Sequence, residues 1–165
     1  MGSVLLLERA KHPPPPPPPP PLPDSLDFQS GAINFSDLPV GGWGNITIYK
    51  NGNFEFWGHF HDSGAPSYDG ALSWVIVDSK GFAFTFAHKV HMNGTFEVGS
   101  RDGDWDDTGT NGAIADHWAD LCAGNTWRWT ANVNWDWTII VEQIEDSLKA
   151  AGTIISGVVA VVALV

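Results

Sequence analysis

Trp127-Arg128-Trp129-Thr130-Ala131-Asn132-Val133-Asn134-Trp135-Asp136-Trp137 alternates without a break. Trp127, Trp129, Ala131, Val133, Trp135 and Trp137 fall on one side; Arg128, Thr130, Asn132, Asn134 and Asp136 fall on the other. Successive strand side chains point to opposite faces, so this period of two predicts a strand with one buried and one wet face. Such a strand needs a sheet, and the sequence upstream supplies one. Residues 45–50 alternate and run into Asn51-Gly52, a strong hairpin signal. The return strand separates Phe54, Phe56, Gly58 and Phe60 from Glu55, Trp57, His59 and His61. A second hairpin joins residues 71–78 to 82–88 through Ser79-Lys80-Gly81, with Phe82, Phe84 and Phe86 on one side. Ala113, Ile114, His117, Trp118 and Leu121 are spaced for one short helix, stopped by Gly124. The fold class expected for residues 28–137 is therefore mainly β, an antiparallel sandwich or small barrel with one short helix.

Two segments flank this domain. Residues 1–27 form an N-terminal arm with nine consecutive prolines, from Pro13 to Pro21. Proline fixes φ and has no N–H, so the run is excluded from helix and sheet interior. It is expected as a polyproline II rod, about 28 Å long at about 3.1 Å per residue. Ahead of it, Val4, Leu5, Leu6 and Leu7 make a short apolar tip. A rod with such a tip reads as an arm reaching a neighbour, beside the plainer readings of a stiff linker or an SH3-type ligand.

The other flank is residues 138–165. Ile144, Leu148, Ala151, Ile155, Val158, Val162 and Val165 step by alternating fours and threes, a heptad seam that predicts a long apolar C-terminal helix. Gly152, Gly157 and the valines favour the alternative, an exchanged β-strand. The uncharged stretch from Ala150 is 16 residues, short of the roughly 20 that span a bilayer, so membrane anchoring is not expected. Packing with other copies is the favoured reading over packing on its own domain, because small residues allow close helix approach.

The chain has 165 residues, nine Trp, nine Phe, 18 Gly and a net charge of −11. That charge repels phosphates, so nucleic acid and anionic lipid are set aside as partners. The single cysteine, Cys122, rules out an internal disulfide and reads as a small buried residue rather than a nucleophile. Residues 4–7 are too short for a secretory signal core, and Leu6 replaces the hydroxyl residue a myristoylation signal needs.

Several residues carry candidate chemistry. Glu55, His59 and His61 share one strand face and could hold a metal, with His88 or His91 completing the set. Asp102, Asp104, Asp106 and Asp107 crowd a Gly-containing stretch that suggests a calcium loop, although the EF-hand pattern fails at its sixth and twelfth positions. Asn34, Asn45 and Asn93 open glycosylation sequons. Trp43, Trp57, Tyr68 and Trp105 could stack on sugar rings, with Asp62 or Asp69 accepting hydroxyl hydrogen bonds. No GxSxG, P-loop, HExxH or CxxC motif occurs, and no enzyme is expected.

Gly41-Gly42-Trp43, the run from His59 to Tyr68 and the run from Leu148 to Ile155 resemble an uncharacterised family of small Trp-rich β domains with an apolar C-terminal helix. Over residues 35–165 the chain looks like the protomer of extracellular helical filaments found in natural water. The resemblance implies a structural subunit of an extracellular homopolymer; it carries no catalytic motif and assigns no residue role, and no cofactor is expected beyond a possible calcium ion. The residues themselves add the arm and the tail as its assembly elements. They leave a carbohydrate-binding module as the alternative and a metal-dependent enzyme as a more distant one.

Overall fold

The computed structural model describes residues 13–134, 137–150, 152–153 and 155–162. Its strands are β1 (Ser25–Gln29), β2 (Ile33–Asn34), β3 (Val40–Tyr49), β4 (Asn53–Asp62), β5 (Tyr68–Val77), β6 (Phe82–Met92), β7 (Asp102–Thr110), β8 (Thr126–Val133) and β9 (Gly157–Val162). Three helices interrupt them, α1 (Gly112–Asp116), α2 (Trp118–Ala123) and α3 (Trp137–Ala150). The chain is mainly β, as expected. Its first sheet runs β1-β3-β4-β7, with β2 also on β3; the second runs β8-β5-β6-β9.

Alternation decides how the sheets meet. Phe28, Ile46, Ile48, Phe54, Phe56 and Phe60 of the first sheet point inward against Leu72, Trp74, Ile76, Phe84, Phe86 and Met92 of the second. The Asn51-Gly52 turn forms where the sequence places it, with Gly52 at φ 92°, a left-handed conformation that costs glycine little. Gly44 faces Gly58 across β3 and β4, and Gly58 faces Trp105 on β7. The two bare backbones form a shelf for the Trp105 indole, which is buried at 6% exposure.

The quoted tryptophan stretch forms β8 up to Val133. Trp127 and Trp129 pack on Trp74, at ring separations of 5.4 and 6.4 Å. Asn134, at φ 60°, then turns the chain out of the strand. It donates its N–H to the Asp69 carbonyl (2.8 Å), and its side chain accepts from the Asp69 N–H (3.1 Å). Trp135 and Asp136 lie outside the described residues. The expected single helix is two. α1 stops at His117, whose imidazole is drawn to Asp78, and α2 restarts there and runs to Gly124. Ile114, Trp118 and Leu121 are buried as the spacing required.

The long C-terminal helix is corrected. α3 ends at Ala150, and Gly152 at φ 90° closes it, its N–H donating to the Lys149 carbonyl. The valine-rich run beyond then pairs as β9, parallel to β6. Branched residues fit a pleated sheet better than a helix, and the β6 edge offers unpaired hydrogen-bonding groups. Because β8 and β6 both run antiparallel to β5, β9 is parallel to β8, and β8-α3-β9 is a crossover unit. The heptad seam still describes what is buried. Ile144, Leu148 and Ile155 join Ala71, Val75, Val77 and Ala83 on the outer face of the second sheet. The tail thus covers its own chain's sheet. Val158 is 48% exposed on β9, Val162 pairs opposite Phe86, and Ala151 and Val165 lie outside the described residues.

At the other end, the prolines from Pro13 to Pro21 are exposed and belong to no helix or strand. The Trp118 indole N–H donates to the Pro23 carbonyl (3.0 Å) and the Lys50 N–H to the Asp24 carbonyl (2.9 Å), which fixes the root of the arm. β1 starts at Ser25, inside the segment expected as arm. The apolar tip, Val4 to Leu7, lies outside the described residues.

Candidate functional site

With α3 covering the second sheet, the open face of the domain is the outer face of the first. Register places its side chains in rows across β1, β3, β4 and β7. His61 faces Asp102; Trp43, His59 and Asp104 form the next row; Gln29, Asn45, Trp57 and Asp106 the third; Asp27, Thr47, Glu55 and Thr108 the fourth. Trp43 is 40% exposed and Trp57 half-buried, as diagonal neighbours on adjacent strands. Diagonal positions lie about 7–8 Å apart, close enough for both indoles to meet one extended ligand. Trp43 stacks on His59 at 6.5 Å, and Tyr49 lies further along β3. Partial desolvation and the neighbouring Glu55 carboxylate push the Tyr49 hydroxyl above its ordinary pKa.

The expected metal sites do not assemble on this face. His59 and His61 do point outward beside Glu55, but their Nδ1 atoms are taken by Asp104 (2.7 Å) and Asp102 (2.6 Å), with His59 Nε2 a further 3.7 Å from Asp102, and among the described residues they form no compact ligand group with Glu55. Hydrogen bonding from His61 holds the Asp102 carboxyl below its usual range. The calcium loop is a strand. Asp102, Asp104 and Asp106 project outward from β7, with residues i and i+2 about 7 Å apart, whereas a calcium loop wraps its oxygens around one centre. Asp107 points inward and takes His88 Nδ1 at 2.6 Å. Trp105 cannot stack on a sugar, because its ring is enclosed by Phe56, Phe60 and His88. Asp62 is buried and accepts the Gly64 N–H, so it is closed to an outside hydroxyl; Tyr68 is half-buried. Of the sequon asparagines, Asn34 is exposed, Asn45 sits half-buried beside Trp57, and Asn93 is half-buried and donates to the Ser100 carbonyl. Cys122 is half-buried, and desolvation pushes its thiol pKa up.

Sequence reasoning missed a different cluster. Among the described residues, Asp78, His117 and Asp120 bring three potential ligand atoms within 4.8 Å of one another. Their partners give them a structural role. Asp78 Oδ1 accepts the Lys80 and Phe82 N–H groups at 2.9 Å each, closing the β5–β6 turn, and its Oδ2 accepts His117 Nδ1 at 2.9 Å. The His117 ring lies flat on Phe82 at 4.0 Å, and the Lys80 ammonium stands 3.3 Å from Asp120. A cation would have to displace Lys80. No local motif announces this clasp, since its members meet only through the fold.

Each of the five described histidines places Nδ1 within 2.9 Å of an aspartate oxygen. The His91–Asp69 pair gives a pH test. The hydrogen bond from His91 holds Asp69 below its usual pKa, with Lys89 adding to it, and the same bond raises His91. A raised histidine stabilises the fold below its unfolded value of about 6.5 and loses that contribution as pH rises through the folded pKa. A lowered aspartate stabilises above its unfolded value of about 3.9 and loses that contribution as pH falls through the folded one. The pair is therefore worth most between those limits. Both side chains are well exposed, so solvent screening keeps it under about 1 kcal/mol. The Tm difference between wild type and Asp69→Asn is expected to be largest near pH 5 and to shrink in alkali and in strong acid; a difference independent of pH would refute the coupling.

No family model matches the chain, and no curated protein or solved structure shows significant similarity to it.

Proposed function

We propose that the protein is a structural subunit that self-associates head to tail, its N-terminal arm engaging a neighbouring copy. The observation that supports this is the arm itself. Its prolines from Pro13 to Pro21 are exposed, and its root is tied down through Pro23 and Asp24. Proline has no N–H, so the run cannot extend either sheet of its own domain. A polyproline rod is already ordered, so docking it on a partner loses little conformational entropy. An arm that fills a different surface on the next copy makes a heterologous contact, which builds rings or open filaments. Because the tail covers its own sheet, this reading rests on the arm. Among the described residues no helix is long and apolar enough to cross a membrane.

A chain lacking residues 1–22 should remain folded, with its Tm within a few degrees of wild type, and sediment as a monomer. The full chain should show concentration-dependent association by sedimentation and filaments or rings by negative-stain microscopy. A full chain that stays monomeric at high micromolar concentration would sink the proposal. The second reading is a carbohydrate-binding module. Trp43 and Trp57, flanked by Asn45, Gln29, Asp104 and Asp106, offer ring faces beside hydroxyl-binding groups.

A further inference from the structure

We infer that the surface receiving the arm is the outer face of the first sheet: the proline rod of one copy lies along Trp43 and Trp57 of the next. The inference rests on the head-to-tail reading and names its missing half.

Chemistry selects the occupant. A proline run presents apolar ring faces and carbonyl acceptors, and no N–H donors. It is recognised where flat aromatic rings carry N–H groups, as in domains that bind polyproline helices. Trp43 and Trp57 supply two indoles on one face, each with a ring N–H, and the amides of Asn45 and Gln29 stand in the row of Trp57. The diagonal spacing of about 7–8 Å approaches one polyproline turn, three residues at about 3.1 Å each. Nine prolines span about 28 Å. The ten-residue β3 spans about 34 Å, so the whole rod fits along the face.

Charge selects the same pair of surfaces. The chain has only eight Lys plus Arg, and two of them, Arg9 and Lys11, lie within four residues of the prolines, against one carboxylate, Glu8. Among the described residues, the outward positions of the first sheet carry Asp27, Glu55, Asp102, Asp104 and Asp106, and no Lys or Arg. A basic head on a neutral rod is thus complementary to an acidic face with two indoles, which steers the encounter and fixes its direction.

Complementation between two full-length variants tests this. One carries Trp43→Ala with Trp57→Ala, leaving the arm intact. The other replaces the nine prolines with a Gly-Ser run of equal length, leaving the face intact. Circular dichroism and Tm check that each is folded, and Asp106→Lys, at an exposed carboxylate, gives a face variant that leaves the core untouched. Each variant alone is expected to associate more than roughly tenfold more weakly than wild type, as for loss of a tryptophan hot spot. Mixed in equal amounts, the two should form dimers that grow no further, since the pair retains one working arm and one working face. If the face variants assemble like wild type while the proline variant does not, the face is not the receiver and the head-to-tail reading survives. If the proline variant assembles like wild type, both fall. If wild type binds a soluble polysaccharide saturably and the Trp43→Ala, Trp57→Ala chain loses that binding but not its assembly, the face belongs to a glycan and the inference is overturned.

Discussion

Replacing Gly58 by alanine is expected to lower the unfolding free energy by about 3 kcal/mol, at the upper end for overpacking a core. A Cβ at this position would run into Trp105 Cζ2 and Cη2 and lie 2.6 Å from the Trp43 carbonyl oxygen. Neither neighbour can yield cheaply. The carbonyl belongs to the β3 ladder, whose separation from β4 is set by backbone hydrogen bonds. The indole is held by the Phe56 and Phe60 rings at 5.7 and 5.6 Å and by His88, stacked within 7° of parallel at 5.2 Å. Moving it would disturb the inner faces of both sheets. For a domain of this size the Tm should fall by roughly 6–12 °C. Gly112→Ala is the control, because a Cβ there meets nothing within 4 Å. Equal melting of the two variants would show that the glycine shelf does not hold Trp105.

The glycine shelf also shows where the sequence was readable. Gly58 falls on the apolar side of β4 with Phe54, Phe56 and Phe60, and Trp57, His59 and His61 fall outside, as the period of two requires. The Asn51-Gly52 turn and the packing of the β8 tryptophans on Trp74 followed from local rules as well, although Trp127 keeps 39% of its surface exposed and Trp137 opens α3 instead of extending the strand. What misled was composition. Asp102–Thr110 reads as a loop because aspartate and glycine are depleted in strands, yet charged residues suit an edge strand, which repels stray pairing partners. Its aspartates therefore became one wall of an open face, and Trp105 turned into the core. The tail misled through its period. Steps of three and four describe the buried side of α3, and Ile155 reaches the same cluster from beyond Gly152, so a helix ending at that glycine satisfies the pattern. The candidate face was half legible: Trp57, His59 and His61 were placed together, but their partners on β7 emerged only from the β4–β7 register.

The tail carries the second large effect. Leu148→Asp is expected to detach α3 and β9 from the second sheet at a cost of about 3–5 kcal/mol, the combined loss of a buried leucine and burial of an unpaired carboxylate. Leu148 has no exposed surface and packs with Ala71, Val75, Val77, Ala83 and Ile144. An aspartate there can reach water only if the helix lifts, and β9 follows because it enters the sheet through α3. The rest of the sandwich has its own core of Phe56, Phe60, Trp74, Phe84 and Phe86, so the opening should be local rather than global. Hydrogen exchange should show amides of Trp137–Ala150 and Gly157–Val162 losing protection together, while those of β3 and β4 keep most of theirs. The uncovered strip of Ala71, Val75, Val77 and Ala83 would leave the variant prone to aggregation. Protein concentration gives the decisive comparison. A tail folded on its own sheet opens with the same free energy at every dilution. A tail exchanged with a neighbour would lose protection in the wild type as the protein is diluted. Dilution-dependent protection of α3 and β9 in the wild type would move the tail from the subunit's own fold to the contact between subunits.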